Sequence, residues 1–463
     1  MVKLYDTLSG KKEKLPEEPK LRIFVCGPTV YDHPHIGNVR TFVTFDLFVR
    51  YLRSQKLNVF YLQNITDIDD KIIDRAGQEG VAWDEIARRY EKIFMADMKR
   101  LEVISVDRYA RATDFIPEIV KQVRRLIETG HAYLIEGDGW YFDLSTFPDY
   151  GKLARRTVTQ AEDGTSRIDM SDKKRNRGDF ALWKFSKEGE PEWETELGRG
   201  RPGWHIEDTA ITEHFFGPQY DVHGGGMDLK FPHHEAEIAQ QESASGLKPF
   251  VKIWMHVGFL TVNGEKMSKS LKNYVTLDEV LTKHSPAAFR MMVFMHHYRS
   301  PFDYTETLAA TAEKNLDSLA LFAAKLDRAA QDAGGRRRES KGAVPHLTEE
   351  VYAALADDFN TPKALAAVFA YMAALQKKIW NLAPEEAGAI AEGLRELFLT
   401  FGIALETPLI PGNISKLAEE RELSRTNKQF GQSDALRKEI NALGYEIEDT
   451  PQGPFLWPQK NPN

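Results

Sequence analysis

Residues Leu21–Asn38 read LRIFVCGPTVYDHPHIGN, and this stretch decides the fold that we expect for the chain. Its apolar start, Leu21–Cys26, has the length of a strand that is buried on both faces. Gly27 and Pro28 end that strand in a turn. Beyond the turn, apolar side chains recur at helical spacing, at Phe42, Phe45, Phe48, Val49 and Leu52. The stretch therefore predicts the strand, turn and helix that begin a Rossmann-type α/β domain with a parallel sheet.

The turn carries polar groups to the place where a parallel α/β sheet binds its ligands. His33 and His35 lie in the turn that leads into the N-terminus of the predicted helix, and Gly37 and Asn38 follow them. A helix N-terminus offers free N–H groups and the positive end of its dipole to a phosphate. Gly37 also allows a nucleotide ring to approach the main chain closely. We therefore expect a bound nucleotide here, with His33, His35 and Asn38 as candidate catalytic residues.

A second segment far downstream, Lys266–Ser270, reads KMSKS. Lys266 and Lys269 stand on flexible side chains in a Ser-rich loop, so they can follow phosphate charge during a reaction. The two segments together resemble the HIGH and KMSKS signatures of class I aminoacyl-tRNA synthetases, with Asn38 in place of the final His. The resemblance implies binding of ATP with Mg²⁺ and in-line attack of a carboxylate on the α-phosphate.

Composition limits the class of protein. Of the 463 residues, 42% are hydrophobic and 28% are charged, as in a globular protein of several domains. We find no apolar run near the roughly 18 residues of a membrane span, so we expect no membrane segment. The single cysteine excludes an internal disulfide and favours the cytoplasm. With a net charge of −8, the chain is no generally basic nucleic-acid binder, and a tRNA partner would need local basic surfaces.

Three glycines come directly after a predicted strand, Tyr220–His223. Gly224, Gly225 and Gly226 permit close approach of the main chain to a ligand. Asp228, two residues further on, is placed to accept hydrogen bonds from a ribose. We therefore expect the glycines and Asp228 to bind the nucleotide, although a glycine triplet by itself is often only a turn.

A metal site is suggested by the helix that Pro232 is expected to start. His233 and Glu237 are four residues apart and so share one face of that helix, a spacing that recurs in zinc sites. Cys26 would be a third ligand, and a fourth candidate lies within Gly203–Asp208. The alternative is that His233 and Glu237 are merely polar residues at a helix start.

At this point the whole chain resembles one family, the cysteinyl-tRNA synthetases. The motifs that carry the resemblance are Gly27–Tyr31, Asn64–Lys71, Lys174–Asn176, Arg201–Glu207, the glycine triplet with Pro232–Glu235, Lys266–Ser270, Asp358–Pro362 and Glu448–Thr450. The resemblance implies a zinc ion held by Cys26, Asp208, His233 and Glu237. Asp208 departs from the family, which usually has Cys there. The resemblance also implies that Thr66, Trp204 and His205 line a cysteine pocket.

The resemblance further implies how the chain is divided. We expect a catalytic domain at about 1–270 with a connective insertion at about 120–200, and a stem-contact region at 271–310. A helical tRNA-binding bundle would cover 311–405, and a small α+β anticodon-binding module would cover 406–463, after the boundary at Pro408 and Pro411-Gly412.

The expected activity is that of a cytoplasmic, monomeric enzyme that joins L-cysteine to tRNA(Cys) with ATP. One alternative is a paralogue that couples activated cysteine to a small amine, which would not need the roughly 150 residues after the stem region. Another is a non-catalytic tRNA-binding paralogue, which would be expected to lose His35, Gly37, Lys266 and Lys269.

Overall fold

The computed structural model describes residues 1–156, 172–267, 273–331 and 343–459. The chain divides into two units. The first comprises Met1–Leu308 and Leu355–Thr361, and the second comprises Ala309–Ala354 and Pro362–Asn463. The domain boundaries expected from the sequence remain proposals.

The first unit is of the α/β class. Its described strands are β1 (Lys3–Asp6), β2 (Lys11–Lys14), β3 (Leu21–Val25), β4 (Val59–Ile65), β5 (Arg108–Arg111), β6 (Ala132–Ile135), β7 (Gly139–Phe142), β8 (Phe180–Phe185), β9 (Gly200–Pro202), β10 (Tyr220–Gly226), β11 (Val251–Val257), β12 (Leu260–Val262), β13 (Glu265–Lys266) and β14 (Phe302–Tyr304). Its described α-helices are α1 (Ile36–Ser54), α2 (Asp70–Glu79), α3 (Trp83–Arg100), α4 (Ile116–Glu128), α5 (Ile206–Phe216), α6 (His233–Ser245), α7 (Leu277–Leu281) and α8 (Pro286–Phe294).

The central sheet has the strand order β11-β10-β3-β4-β5, and every neighbouring pair is parallel. β3 lies in the middle of this order, which explains why its sequence is apolar on both faces. The Ile23, Phe24 and Val25 side chains are fully buried. The predicted parallel sheet, the buried strand at Leu21 and the helix that follows it are confirmed.

An antiparallel sheet, with strand order β6-β7-β8-β9, lies between α4 and α5 in the chain. It covers much of the connective insertion that we expect at about 120–200, and its last strand, β9, ends slightly beyond that range at Pro202. Tyr133 and Trp183 supply two of its large buried side chains. The chain thus leaves the central sheet after β5, forms the antiparallel sheet between α4 and α5, and returns to the central sheet at β10.

The sequence predicts that the glycine triplet follows the strand. This prediction is wrong, because β10 includes Gly224 and Gly225 and ends at Gly226. The cause is side-chain packing. A Cβ atom on Gly224 would lie 2.2 Å from the ring of Phe45, and one on Gly225 would lie 2.8 Å from the ring of His234. These two glycines therefore make room for neighbouring side chains.

The segment Leu355–Thr361 joins the first unit although the residues on either side of it belong to the second. Asp358 is its buried anchor. Its carboxylate accepts hydrogen bonds from the main-chain N–H of Tyr5 at 2.8 Å, the hydroxyl of Tyr298 at 2.8 Å and Nε of Arg299 at 3.0 Å. The Asp358 motif noted in the sequence thus has a structural role in the first unit.

The second unit is helical and ends in a hairpin. Its described elements are α9 (Glu306–Ala330, which begins in the first unit), α10 (Ala343–Ala356, which ends in the first unit), α11 (Thr361–Gln376, whose first residue belongs to the first unit), α12 (Pro384–Thr400), α13 (Gly412–Thr426), α14 (Phe430–Ala442), β15 (Tyr445–Thr450) and β16 (Gly453–Pro458). The last two helices and the hairpin enclose a small apolar cluster that includes Ile414, Ile440 and Ile447. A bidentate ion pair between Arg421 and Asp449 joins α13 to β15, at 2.6 and 3.1 Å. In the described residues, we find no helix with the length and hydropathy of a membrane span.

Substitution of Gly224→Ala should destabilise the first unit by about 1–3 kcal/mol, because the new methyl group overlaps the buried ring of Phe45. Chemical denaturation measures the change. Gly77→Ala is the matched control, since nothing lies within 4 Å of a Cβ there and α2 should gain about 0.5–1 kcal/mol. Equal stability of Gly224→Ala and the wild type would show that Phe45 yields easily and that packing does not require this glycine.

Candidate active site and metal-binding cluster

A cavity of about 260 Å³ lies where the sequence predicts the ligand crevice. Its walls come from the carboxyl ends of β3, β4, β10 and β11 and from the first turn of α1. This is the usual ligand site of an open parallel sheet. The predicted site residues that line it are Cys26, His35, Gly37, Asn38, Thr66, Trp204, Asp208, Gly226, Asp228 and His233.

Described residues of both signature segments line this cavity, namely His35, Gly37 and Asn38 of the first and Met267 of the second. Met267 lines it, and its Cε would lie 2.8 Å from a Cβ on Gly37, so the glycine leaves room for the methionine. A hydrogen bond also links the residues next to these segments, because the side-chain hydroxyl of Tyr274 donates to the main-chain carbonyl of His33 at 2.7 Å. Lys266 is the last residue of β13, and Lys269 lies outside the described residues.

His35 caps α1 in a way that the sequence analysis did not foresee. Its Nδ1 accepts hydrogen bonds from the main-chain N–H groups of Gly37 at 3.1 Å and Asn38 at 3.3 Å. The expectation that these N–H groups are free for phosphate is therefore wrong for this structure. A neutral imidazole that accepts at Nδ1 carries its proton on Nε2, so His35 adds a side-chain donor to this turn.

Several of the predicted residues do not line the cavity. The ring of His33 lies edge-on to Tyr90, with 5.6 Å between the ring centroids, so the geometry gives its expected catalytic role no support. Gly224 and Gly225 are occupied with packing, as described above. Gly226 lines the cavity, and a Cβ on it would lie 2.5 Å from Oδ1 of Asp228, so this glycine leaves space for that carboxylate.

Four potential metal ligands meet at the floor of the cavity, and they are the set expected from the sequence. The ligand atoms of Cys26, Asp208, His233 and Glu237 all lie within 4.8 Å of one another. Oδ2 of Asp208 is 3.3 Å from Sγ of Cys26 and 3.0 Å from Nε2 of His233. Oε1 of Glu237 is 3.2 Å from the same nitrogen. The structure thus brings together one sulfur, one nitrogen and two carboxylate donors.

The four donors lie on or next to three different elements of secondary structure. Cys26 directly follows β3, and Asp208 lies in the first turn of α5, where the helix dipole favours a negative charge. His233 and Glu237 are one turn apart on α6, as their spacing predicts. Three elements therefore converge on one point at the end of the central sheet.

A second donor set shares Cys26 and Glu237 with the first. Nε2 of His223 is 3.3 Å and Nε2 of His234 is 3.1 Å from Sγ of Cys26. With Glu237, these three residues form another group whose ligand atoms lie within 4.8 Å. His223, His234 and Glu237 do not line the cavity, whereas Cys26 and the remaining first-set residues do. Three members of the first set therefore border the cavity, whereas Cys26 is the one member of the second set that does.

Three of the four donors at the floor are acidic groups that are buried away from water. Burial raises the pKa of the Cys26 thiol well above its usual value, and the nearby charges of Asp208 and Glu237 raise it further. Burial also raises the pKa of the Glu237 carboxyl, again reinforced by Asp208. Oδ1 of Asp208 is buried and accepts no hydrogen bond from the described residues. A metal ion would stabilise the thiolate and both carboxylates and would use the unpaired oxygen, so the donor set fits a divalent metal.

Aromatic and polar neighbours orient the donors. Trp204 stacks on the ring of His233 at 4.4 Å. Nδ1 of His205 lies 2.8 Å from Nδ1 of His233, so one of the two donates and the other accepts. His205 is thus behind His233 and not in the cavity wall. Thr66, which lines the cavity, donates to Oε1 of the buried Glu207 at 2.6 Å.

Sequence reasoning missed His223, His234 and Glu207. The sheet register explains His223, because it pairs with Phe24, which lies two residues before Cys26 and so on the same face of the sheet. No sequence pattern gives this register. A signal for His234 existed in Gly225, whose missing side chain makes room for that ring.

Residues 12–314 match the family model for the catalytic domain of class I (C) tRNA synthetases, and residues 350–406 match the DALR domain. The chain is 41% identical over 473 residues to a cysteine–tRNA ligase of Thermococcus gammatolerans, and 40% identical over 468 residues to one of Legionella pneumophila. Each alignment covers 98% of both chains.

Solved structures share the fold at low sequence identity. Methionyl-tRNA synthetase of Mycobacterium tuberculosis, in complex with methionyl-adenylate, gives a TM-score of 0.59 at 17% identity over 82% of this chain and 89% of that one. LeuRS of Agrobacterium radiobacter K84, in its ternary complex, gives 0.62 at 11% identity over 83% and 84%. By sequence identity and coverage, the chain belongs to the cysteine–tRNA ligase family of class I tRNA synthetases.

Proposed function

We propose that the protein joins L-cysteine to tRNA(Cys) with ATP. The observation that carries the proposal is the thiol, carboxylate and imidazole cluster at the floor of a cavity that is also lined by His35, Gly37 and Asn38 of the first signature segment and by Met267 of the second. The cysteine carboxylate attacks the α-phosphorus of ATP, which forms the acyl–phosphate bond and releases pyrophosphate. A ribose hydroxyl of the terminal adenosine then takes the cysteinyl group and releases AMP.

The first donor set, Cys26, Asp208, His233 and Glu237, would hold one zinc ion. A zinc ion here would supply affinity for a soft thiolate, which distinguishes cysteine from serine. Cys26, Asp208 and His233 border the cavity, so this set leaves access for a substrate, as catalytic metal sites require. Asp208 has the charge of the usual Cys thiolate but is a harder ligand, so we expect weaker discrimination against Mn²⁺ or Co²⁺.

Residues at the other end of the cavity would position ATP with its Mg²⁺. The Nε2–H of His35 can donate to a phosphate oxygen, and Asn38 can do so from the same turn. Asp228 can accept hydrogen bonds from the ribose, and Lys266 and Lys269 would follow the charge that develops on pyrophosphate. These roles act on the charge of the transition state and require no covalent intermediate with the protein.

Cysteine-dependent exchange of pyrophosphate into ATP, tested with a panel of amino acids, examines the activation step, and charging of tRNA(Cys) examines the transfer step. Exchange with cysteine and charging of tRNA(Cys) are expected. Exchange without charging would instead favour a ligase that uses a small amine. We further propose that the enzyme is a monomer and that it works in the cytoplasm. The single cysteine of the sequence supports the second of these proposals, because it leaves no internal disulfide to form.

Asp208→Asn should lower the affinity for zinc at least about tenfold, because it retains the shape of the side chain and removes its charge. Competition with a chromophoric chelator measures this affinity. Asp208→Cys is the matched control and should retain stoichiometric zinc, since it restores the usual thiolate. If Asp208→Asn bound zinc as tightly as the wild type, the ion would be assigned to the donor set with His223 and His234.

Removal of residues from 406 onward should leave cysteine activation nearly unchanged and weaken tRNA(Cys) charging roughly 10- to 100-fold. The reason is that this segment has its own apolar cluster and that each lost base contact costs about 1–3 kcal/mol. Pyrophosphate exchange and charging are measured on the same preparation, with circular dichroism as the control for folding. Loss of activation in a folded truncation would place the segment in the catalytic part instead.

A further inference from the structure

Arg40 is a fully buried arginine on α1, two residues after Asn38. Among the described residues, its guanidinium donates to main-chain carbonyl oxygens and to no carboxylate. It also lies over the ring of Phe302, 4.5 Å from the centroid. Burial lowers its pKa to about 9, which reflects the cost of placing this charge in the interior. Main-chain carbonyl oxygens thus take the place of a counter-ion for this buried guanidinium.

The carbonyl groups that Arg40 binds belong to two separate segments, 258–259 and 297–300. The distances from the terminal nitrogens of Arg40 are 2.7 Å to Gly258, 2.8 Å to Phe259, 3.2 Å to His297, 3.2 Å to Tyr298 and 2.6 Å to Ser300. The planar guanidinium matches this task because its donors spread in a fixed fork. Arg40 thus fastens two main-chain segments to α1.

The two segments also contact each other closely. The N–H of Gly258 donates to the carbonyl of Tyr298 at 2.7 Å, and the N–H of Phe302 donates to the carbonyl of Phe259 at 3.1 Å. A Cβ on Gly258 would lie 2.6 Å from the carbonyl oxygen of Arg299, so no space remains between them. The position of Gly258 and Phe259 is therefore set by α1 on one side and by 297–300 on the other.

Gly258 and Phe259 are part of the cavity wall. The chain continues from them directly into β12 and β13, which form an antiparallel pair ending at Lys266. Met267, the next residue, reaches Gly37 at the start of α1. A displacement of Gly258 and Phe259 would therefore move both the wall and the strands that lead to the KMSKS segment.

We propose that Arg40 is a positioning residue for ATP, which fixes the cavity wall at Gly258–Phe259 and the strands that carry the KMSKS segment. The inference rests on the proposed function for its kinetic consequence. Arg40 does not line the cavity, so it acts through the main chain and not by contact with substrate. Its effect should fall on the nucleotide, because the cysteine end of the cavity is built by Cys26, Asp208 and His233 on other elements.

Arg40→Lys retains the charge and loses the fork. We expect it to lower kcat/KM for ATP in pyrophosphate exchange roughly 10- to 100-fold and to leave KM for cysteine within about twofold. Amide hydrogen exchange at Gly258 and Phe302 should accelerate. If Arg40→Lys does not fold, Phe302→Leu removes the ring beneath the guanidinium and should give a smaller change of the same kind.

Arg290→Lys is the matched control. Arg290 is equally buried and donates to the carbonyl of Leu101 at 2.9 Å and to Asp46 at 2.8 Å, and neither partner lines the cavity. It should lower the stability without a selective effect on ATP. The proposal is overturned if both variants affect ATP and cysteine alike, or if amide exchange accelerates in Arg40→Lys while kcat/KM for ATP is unchanged.

Binding of a non-hydrolysable ATP analogue separates this proposal from the proposed function. If the wild type showed no exchange with cysteine, the proposed function would fail. Weaker binding of the analogue to Arg40→Lys than to Arg290→Lys would then still support the role of Arg40, and equal binding would refute it.

Discussion

Acidic groups and a thiol are buried together at the carboxyl end of the central sheet, and no lysine or arginine in the described part of the chain pairs with Asp208 or Glu237. An uncompensated buried carboxylate costs several kcal/mol unless it is protonated or meets a cation. The surrounding structure nevertheless holds the donors in place. His223 and His234 turn one nitrogen toward Cys26, and their other nitrogens contact Tyr220 at 2.6 Å and His256 at 2.8 Å. Such outer contacts are typical of histidines near a metal.

Helix α1 borders the cavity with its first two turns. Its N-terminus carries His35 and the glycine on which Met267 rests, and its next turn carries Arg40. One helix thus presents polar groups to the cavity and also fixes the segments that form the wall. This double use explains why α1 is buried along almost its whole length, with polar side chains such as Thr41 and Asp46 enclosed beside its phenylalanines.

Much of the fold could be read from the sequence, because the signals there are local. An apolar run bounded by Gly27 and Pro28 specifies β3, and the spacing of His233 and Glu237 on one helix specifies half of the donor set. The resemblance to a family supplied Asp208, which no local pattern reveals. The sequence could not give what depends on pairing between distant segments. The register that turns His223 toward Cys26 is one example, and the ring of Phe45 that requires Gly224 is another.

The segment Leu355–Thr361 has a consequence for how the molecule comes apart. The chain leaves the first unit after Leu308, returns at Leu355 and leaves again after Thr361. A cut after Leu308 would therefore release a fragment that lacks Asp358, and the main-chain N–H of Tyr5 and the hydroxyl of Tyr298 would lose their acceptor. A single stretch that ends at the unit boundary after Leu308 therefore lacks part of the first unit. Gene fragments or protease products that reproduce only the first 308 residues are incomplete as folding units, even though they contain every cavity-lining residue described above.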